Sequence, residues 1–322
     1  MKDNWGREIN YLRLSVTDRC DLHCPYCRAS DQPLGSMVQS SLNFADMLRL
    51  VKLFAHLGIK KIRLTGGEPL TFPAIEKLIA ALKCIAGIEQ VVMTTNGLLL
   101  SQKMAALLAA GLDGLNISLD TLDEETFAKI TGRRGAEQVL QAALSVCEYL
   151  PVKINCVPLR GFNEHSLTAL AALAKDYPLT VRFIEYMPLG NAPARMGIPL
   201  WQVRKTLWRT FGSLQEMNAK APLCGPARYV KPQGFKGKIG FIEALGHAFC
   251  ETCNRIRLTS TGNLLPCLGR EGYVPLLPLL RKSVQDEEIE AIIQQGIWQK
   301  PRGHAFLEAG AQGQIPMRQI GG

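Results

Sequence analysis

Apolar and polar positions follow two rhythms along the first two thirds of the chain. Short runs rich in β-branched residues recur at 11–16, 61–65, 90–95, 114–119, 152–157 and 180–185. Between them apolar residues return every three to four positions, as at Phe44, Met47, Leu48, Val51, Phe54 and Ala55. This spacing predicts helices over 44–57, 74–85, 104–110, 138–149 and 167–174, and the runs predict strands. Repeated strand–helix units predict an α/β fold with a parallel sheet. Six units fall short of the eight that close a β/α barrel, so an open, partial (β/α)6 barrel is expected. Such sheets bind ligands at the carboxyl ends of their strands. Gly66-Gly67-Glu68-Pro69, Thr94-Thr95-Asn96-Gly97, Ser118-Leu119-Asp120 and Glu185-Tyr186-Met187 all fall at those ends, which places a site there.

After about Thr210 the pattern changes. Proline and glycine become frequent, short β-like runs appear at 227–231, 238–242 and 255–259, and a last helix is expected over 286–295 behind an acidic first turn. We therefore expect two domains, 1–212 and 213–322. Apolar residues make up 47 % and charged residues 20 %, which argues against a mainly disordered chain. No run approaches the roughly 20 apolar residues of a membrane span, and the polar start carries no secretory h-region, so a cytoplasmic protein is expected. The net charge is +9, and +8 of it falls between Arg195 and Lys238, where nine Lys/Arg face one acid, Glu216. That window suits phosphates or an acidic partner, or is a solvated surface.

Six of the ten cysteines form two tight groups: Cys20-x3-Cys24-x2-Cys27 and Cys250-x2-Cys253-x13-Cys267. In a chain without an export signal such spacing points to metal or redox chemistry. Three thiolates on one loop can hold three corners of an iron–sulfur cubane and leave one iron open. Zinc is the alternative at both groups, with His23 as a poorly placed fourth ligand at the first and His247 as a compact one at the second. Between Cys253 and Cys267 lie Arg255 and Arg257, which point to one side of a strand and suit a phosphate.

The first triad, with Tyr26 before its last cysteine and Gly66-Gly67-Glu68-Pro69 after the second strand, resembles the signature of the radical S-adenosylmethionine superfamily. The chain from about Ile9 to Gly322 resembles, within it, the GTP 3′,8-cyclase family of molybdenum cofactor biosynthesis. The residues that carry this are Arg13 with Asp18-Arg19-Cys20, the 63–69 and 94–97 segments, Ser118-Leu119-Asp120, Arg182 to Met187, Gly225 to Tyr229, Cys250 to Cys267 and the Gly321-Gly322 end. The resemblance implies a partial barrel of the radical S-adenosylmethionine type, with a smaller C-terminal α+β region covering its open side. It implies two [4Fe–4S] clusters, one on Cys20, Cys24 and Cys27 that cleaves S-adenosylmethionine, the other on Cys250, Cys253 and Cys267 that meets the guanine. Tyr26, Gly67, Ser118 and Met187 would line the S-adenosylmethionine site. Arg13, Arg63, Thr94, Lys153, Arg255 and Arg257 would surround GTP, with Arg255 and Arg257 also catalytic, and Gly321 and Gly322 would reach into the site. The implied product is (8S)-3′,8-cyclo-7,8-dihydroguanosine 5′-triphosphate, formed by 3′-hydrogen abstraction and C3′–C8 bond formation. The implied partners are a flavodoxin- or ferredoxin-type electron donor and the downstream cyclic pyranopterin monophosphate synthase. A homodimer is compatible with the reading; nucleic acid and membrane are not expected partners. After Cys27 the chain reads Arg28-Ala29-Ser30, where relatives often have Met-Pro, which puts the local loop shape in question.

Two rival readings fit part of this pattern. A radical S-adenosylmethionine maturase of peptides would share the first triad. A zinc-stabilised nucleic-acid-binding protein would use the basic charge and show a steep salt dependence. GTP binding separates the cyclase from the first rival, and colour after anaerobic purification separates it from the second.

Overall fold

A computed structural model describes residues 1–27, 41–187, 196–217, 223, 225–245, 249–270, 272–306 and 317. The 28–30 loop, His247, Cys224, Gly321 and Gly322 lie outside the described residues, as do Arg195 and Lys220 of the basic window. In the first half, β1 (Tyr11–Ser15), α1 (Phe44–His56), β2 (Lys61–Thr65), α2 (Ile75–Lys83), β3 (Gln90–Thr95), α3 (Leu100–Ala109) and β4 (Leu115–Ser118) alternate. They are followed by α4 (Glu124–Thr131), α5 (Ala136–Val146), β5 (Val152–Cys156), α6 (Leu167–Asp176) and β6 (Thr180–Ile184). Neighbouring strands from β1 to β6 pair in parallel. This is the expected strand series, shortened by a residue at some ends.

The remainder consists of α7 (Leu200–Phe211), β7 (Leu214–Met217), β8 (Arg228–Pro232), β9 (Lys238–Ile242), β10 (Arg255–Leu258), β11 (Asn263–Leu265), β12 (Val274–Pro275), α8 (Leu277–Arg281) and α9 (Asp286–Trp298). Its strands extend the six-stranded arc at both edges. The order is β12-β11-β10-β1-β2-β3-β4-β5-β6-β9-β8-β7, an unclosed sheet. β10 runs parallel to β1 and β9 parallel to β6, while the outer strands are antiparallel.

Period-two alternation assigns each face. Leu12, Leu14, Ile62 and Leu64 are fully buried, and the α1 face of Met47, Leu50, Val51 and Phe54 is fully buried with them in one hydrophobic core. Each such side chain contributes roughly 1.5–3 kcal/mol. An Asn43–Asp46 capping box starts α1, and Arg281 of α8 grips the same Asp46 with two hydrogen bonds of 2.7 and 2.9 Å. A parallel sheet ordinarily reads apolar on both faces. Here the other face carries Tyr11, Arg13, Lys61, Arg63, Thr94, Lys153, Arg182, Arg255 and Arg257, so the concave side is built for a polar ligand. Among the described residues no helix is long and apolar enough to cross a membrane.

Candidate active site

The chain leaves β1 at its carboxyl end and enters the first cysteine loop. That loop is held by close backbone approach. A Cβ on Gly66 would collide with the Thr17 carbonyl, and one on Gly67 with that of Arg19. Gly67 N donates to Thr17 O at 2.8 Å and Glu68 N to Arg19 O at 2.7 Å. The two glycines thus seat the segment that presents Cys20. Glu68 is buried and accepts from Thr95 Oγ1 at 2.7 Å, Asn96 N at 2.6 Å and Leu70 N at 3.0 Å. Burial pushes its carboxyl up to about 7 against these donors.

A Cys24 O to Cys27 N turn of 3.0 Å closes the loop. Burial raises all three thiols, Cys20 to about 11, Cys27 to about 12 and Cys24 also well up; Cys20 lies close enough to raise Cys27 further, and Cys27 and Cys20 to raise Cys24. Tyr26 donates its hydroxyl to Asp120, whose other oxygen accepts from Val157 N at 2.8 Å. Burial raises Asp120 to about 6. Ser118 ends β4 and Met187 lies just past β6, so both stand at the carboxyl end of the sheet with the cysteine loop.

The register of β10 makes the second half of the site. Tyr11 lies opposite Lys61 on one side and Arg255 on the other; Arg13 lies opposite Arg63 and Arg257. Arg63 donates through Nε to Tyr11 Oη and through Nη1 to Thr94 Oγ1 at 3.2 Å. Lys153 is brought near Arg182, Arg63 and Lys61, and burial, then these cations, lower it to about 8. Burial and Arg255 lower Arg257 to about 10, and burial and Arg257 lower Arg13. Crowding buried cations in this way disfavours their charged forms, and an arriving anion relieves that cost.

Cys250, Cys253 and Cys267 meet at the edge beyond β10. Burial raises Cys250, with Cys253 and Cys267 adding to the rise. Burial would raise Cys253 as well, but Arg255 and Lys300 bring it down to about 7. Lys300 is buried and donates to Arg255 O at 2.9 Å and to Pro266 O. A hook formed by the first eight residues closes this edge. Asp3 and Arg7 form a buried ion pair of 2.6 Å, and Arg7 donates to the carbonyls of Cys250 at 2.8 Å, Arg302 at 2.9 Å and Pro301 at 2.7 Å.

Among the described residues no three His, Cys, Asp or Glu side chains close on a point that would hold a single metal ion. The donor chemistry does fit iron–sulfur clusters: two sets of three soft thiols, each thiol within electrostatic reach of another of its set.

The comparisons with known proteins agree with this geometry. Residues 14–174 match the radical SAM superfamily, and residues 179–306 match Molybdenum Cofactor Synthesis C. A GTP 3′,8-cyclase of Clostridium perfringens is 41 % identical over 307 residues, 95 % of either chain. One from Pelotomaculum thermopropionicum is 41 % identical across the whole of both chains. The chain belongs to the GTP 3′,8-cyclase family of radical S-adenosylmethionine enzymes. Molybdenum cofactor biosynthesis protein 1 of Bos taurus is 38 % identical over 95 % of this chain and 49 % of that longer one. Among solved structures, Streptococcus suis SuiB bound to S-adenosylmethionine matches with a TM-score of 0.62 at 15 % identity, covering 97 % of this chain and 78 % of that one. That likeness shows the fold.

Every candidate site residue named above that lies within the described residues stands on the polar face of the sheet, at its carboxyl rim or at the β10 edge. Sequence reasoning gave no role to Tyr11, Lys61, Arg182, Glu68, Asp120, Lys300 or the Asp3–Arg7 pair. Lys61 was findable, since it shares strand parity with Arg63 on β2; no residue of β6 was picked, so Arg182 carried no such signal. The Asp3–Arg7 pair has only an i,i+4 charge spacing around Gly6 as its signal.

Proposed function

We propose that this chain converts GTP to (8S)-3′,8-cyclo-7,8-dihydroguanosine 5′-triphosphate in molybdenum cofactor biosynthesis. One observation carries the reading: the parallel register of β10 on β1 sets Arg257, Arg13 and Arg63 side by side between two triads of cysteines. Cys20, Cys24 and Cys27 would hold a [4Fe–4S] cluster beside S-adenosylmethionine, whose site Tyr26, Gly67, Ser118 and Met187 would line. Cys250, Cys253 and Cys267 would hold the second, beside the guanine. Given an electron by an external reductant, the first cluster with S-adenosylmethionine would supply the 5′-deoxyadenosyl radical needed to remove the 3′ hydrogen of GTP and join C3′ to C8 of guanine.

The chain's own contribution is placement. Arg13, Arg63, Lys153, Arg255 and Arg257 meet the triphosphate, and their planar or extended cationic groups fix its orientation. Thr94 holds Arg63 in its rotamer. The buried strands and helices behind the site exclude water from a radical that would otherwise be quenched. Asp120, anchored on Val157 N, accepts from the Tyr26 hydroxyl and so ties the cysteine loop to the end of β4.

An acidic electron donor of the flavodoxin or ferredoxin type suits the basic surface that includes Lys205 and Arg209 of α7. The product passes to cyclic pyranopterin monophosphate synthase, and the reading fits a cytoplasmic enzyme, as a monomer or homodimer, divided near residue 212. The test is calorimetry of anaerobically reconstituted protein. GTP is expected to bind, and turnover with S-adenosylmethionine and reductant is expected to yield 5′-deoxyadenosine and the cyclic nucleotide. Protein that leaves GTP unbound and unchanged contradicts the reading.

A further inference from the structure

The concave face presents an electrostatic problem. None of the eight contiguous strands β10, β1 to β6 and β9 contains an Asp or a Glu, yet together they carry eight Lys or Arg residues. Tyr11 is the one tyrosine in those strands. It is 3 % exposed, and its strand position is flanked by Lys61 and Arg255. Its hydroxyl accepts from Arg63 Nε, and the Lys61 ammonium stands 5.2 Å from its ring centre.

We propose that Tyr11 is the internal counter-anion of this cationic bay: a phenolate while the bay is empty of nucleotide, and a neutral phenol once a triphosphate has entered, so that nucleotide binding draws a proton from solvent. The inference rests on the GTP reading above and deepens it.

The groups facing Tyr11 are all cationic. They are Arg13 on its own strand, Lys61 and Arg63 on β2, and Arg255 and Arg257 on β10; farther along the sheet stand Lys153 on β5 and Arg182 on β6. Burial by itself would raise the phenol, but Arg63, Arg13 and Lys61 outweigh it and bring the group down to about 7. The relation is mutual. Tyr11 supports the charged state of Arg13 and Lys153, and adds to the larger support that Tyr229 of β8 gives Arg182 and that Cys267 and Cys253 give Arg257. A bound triphosphate supplies several negative charges to the same cations. It removes what favours the phenolate, so burial wins and the phenol returns to its neutral form.

The consequence is thermodynamic linkage. Above the free-state value, each pH unit weakens nucleotide binding by up to tenfold, because one proton must be taken up. The nucleotide's own phosphate does not account for this, since its second ionisation near about 6 is complete there. Lys153 also gains a proton on binding at higher pH, so calorimetry alone does not separate the two.

The separating experiment is ultraviolet difference spectroscopy of the tyrosinate band on the anaerobic holoenzyme. It is run between pH 6 and 9 with and without GTP, on wild type and Tyr11→Phe, with GTP heats recorded alongside. In the free wild type we expect one tyrosinate per chain to appear near pH 7. It disappears on GTP saturation at pH 8, and neither change occurs in Tyr11→Phe. A free enzyme in which no tyrosine titrates below pH 9 overturns the proposal. So does a band that persists after measurable GTP heat, or the same band change in Tyr11→Phe. Absence of GTP heat from every protein overturns the substrate reading instead, while the free-state titration still decides whether Tyr11 ionises.

Discussion

The N-terminal hook offers a perturbation far in sequence from either triad. Arg7→Met keeps the length of the side chain and removes its charge. Four hydrogen bonds are lost, to Asp3 Oδ2 and to the carbonyls of Cys250, Pro301 and Arg302. The Asp3 side chain, fully buried in the pair, keeps only the backbone donors of Trp5 and Arg7. Removing one partner of a buried ion pair costs about 3–5 kcal/mol, mostly through the charge left behind. At about 2–4 °C per kcal/mol for a chain of this class, the midpoint should fall by roughly 10 °C. Denaturant unfolding of the apoprotein measures the loss. The double substitution Asp3→Asn with Arg7→Met leaves no buried charge and should recover most of it. Iron analysis adds a local readout: the variant should lose iron from the Cys250 side, while reductive S-adenosylmethionine cleavage at the first triad persists. A loss under about 1 kcal/mol for Arg7→Met, or a double variant no better than the single one, would refute the argument that burial of the pair makes the hook a clamp.

Other outcomes follow from the same geometry. Cys24→Ser should abolish S-adenosylmethionine cleavage, measured as 5′-deoxyadenosine, while the Cys250 side keeps its iron. Arg257→Ala should leave that cleavage intact and weaken GTP binding by roughly 10- to 100-fold in calorimetry, the effect of removing one charge-assisted hydrogen bond. Lys153→Met should trade stability against binding. Burial lowers this lysine to about 8 in the folded chain, below its ordinary 10.5. The unfolded chain therefore binds more protons between those values, so stability rises with pH there, and at pH 7 the folded state carries the full penalty of holding the charge. Removing it should stabilise the nucleotide-free protein by about 2–3 kcal/mol at pH 7, with little gain above pH 10, and weaken GTP binding. Equal stability of the two proteins at both pH values would contradict the assigned cause.

Much of this was legible in the chain. The strand series was readable because buried parallel strands are short, β-branched and punctuated by glycine at their ends. The two cysteine triads were readable because ligand spacing on one loop is a local property. The pairing partner of a strand is a different matter. Period two says that Arg255 and Arg257 share a side, but not that β10 lies along β1. The arginines' position opposite Tyr11 and Arg13 is therefore a tertiary fact. α4 is only eight residues long and too short for its period to stand out. α7 was hidden because Trp201 and Trp208 are exposed, at 62 % and 59 %, and blur the apolar stripe that Leu200, Val203 and Leu207 bury. Tyr11 starts a strand between Asn10 and Leu12, and nothing in that local sequence marks it out; its cationic surroundings come from other strands. Gly67 was expected to line the S-adenosylmethionine site, and for both Gly66 and Gly67 the structure adds a nearer reason in the backbone of residues 17–19.

The most direct test of the central claim is anaerobic turnover with GTP deuterated at C3′. If this face places C3′ before the adenosyl radical, the 5′-deoxyadenosine should carry the deuterium and the nucleotide product should hold a new C3′–C8 bond. Unlabelled 5′-deoxyadenosine, with deuterium retained in intact GTP, would contradict the account.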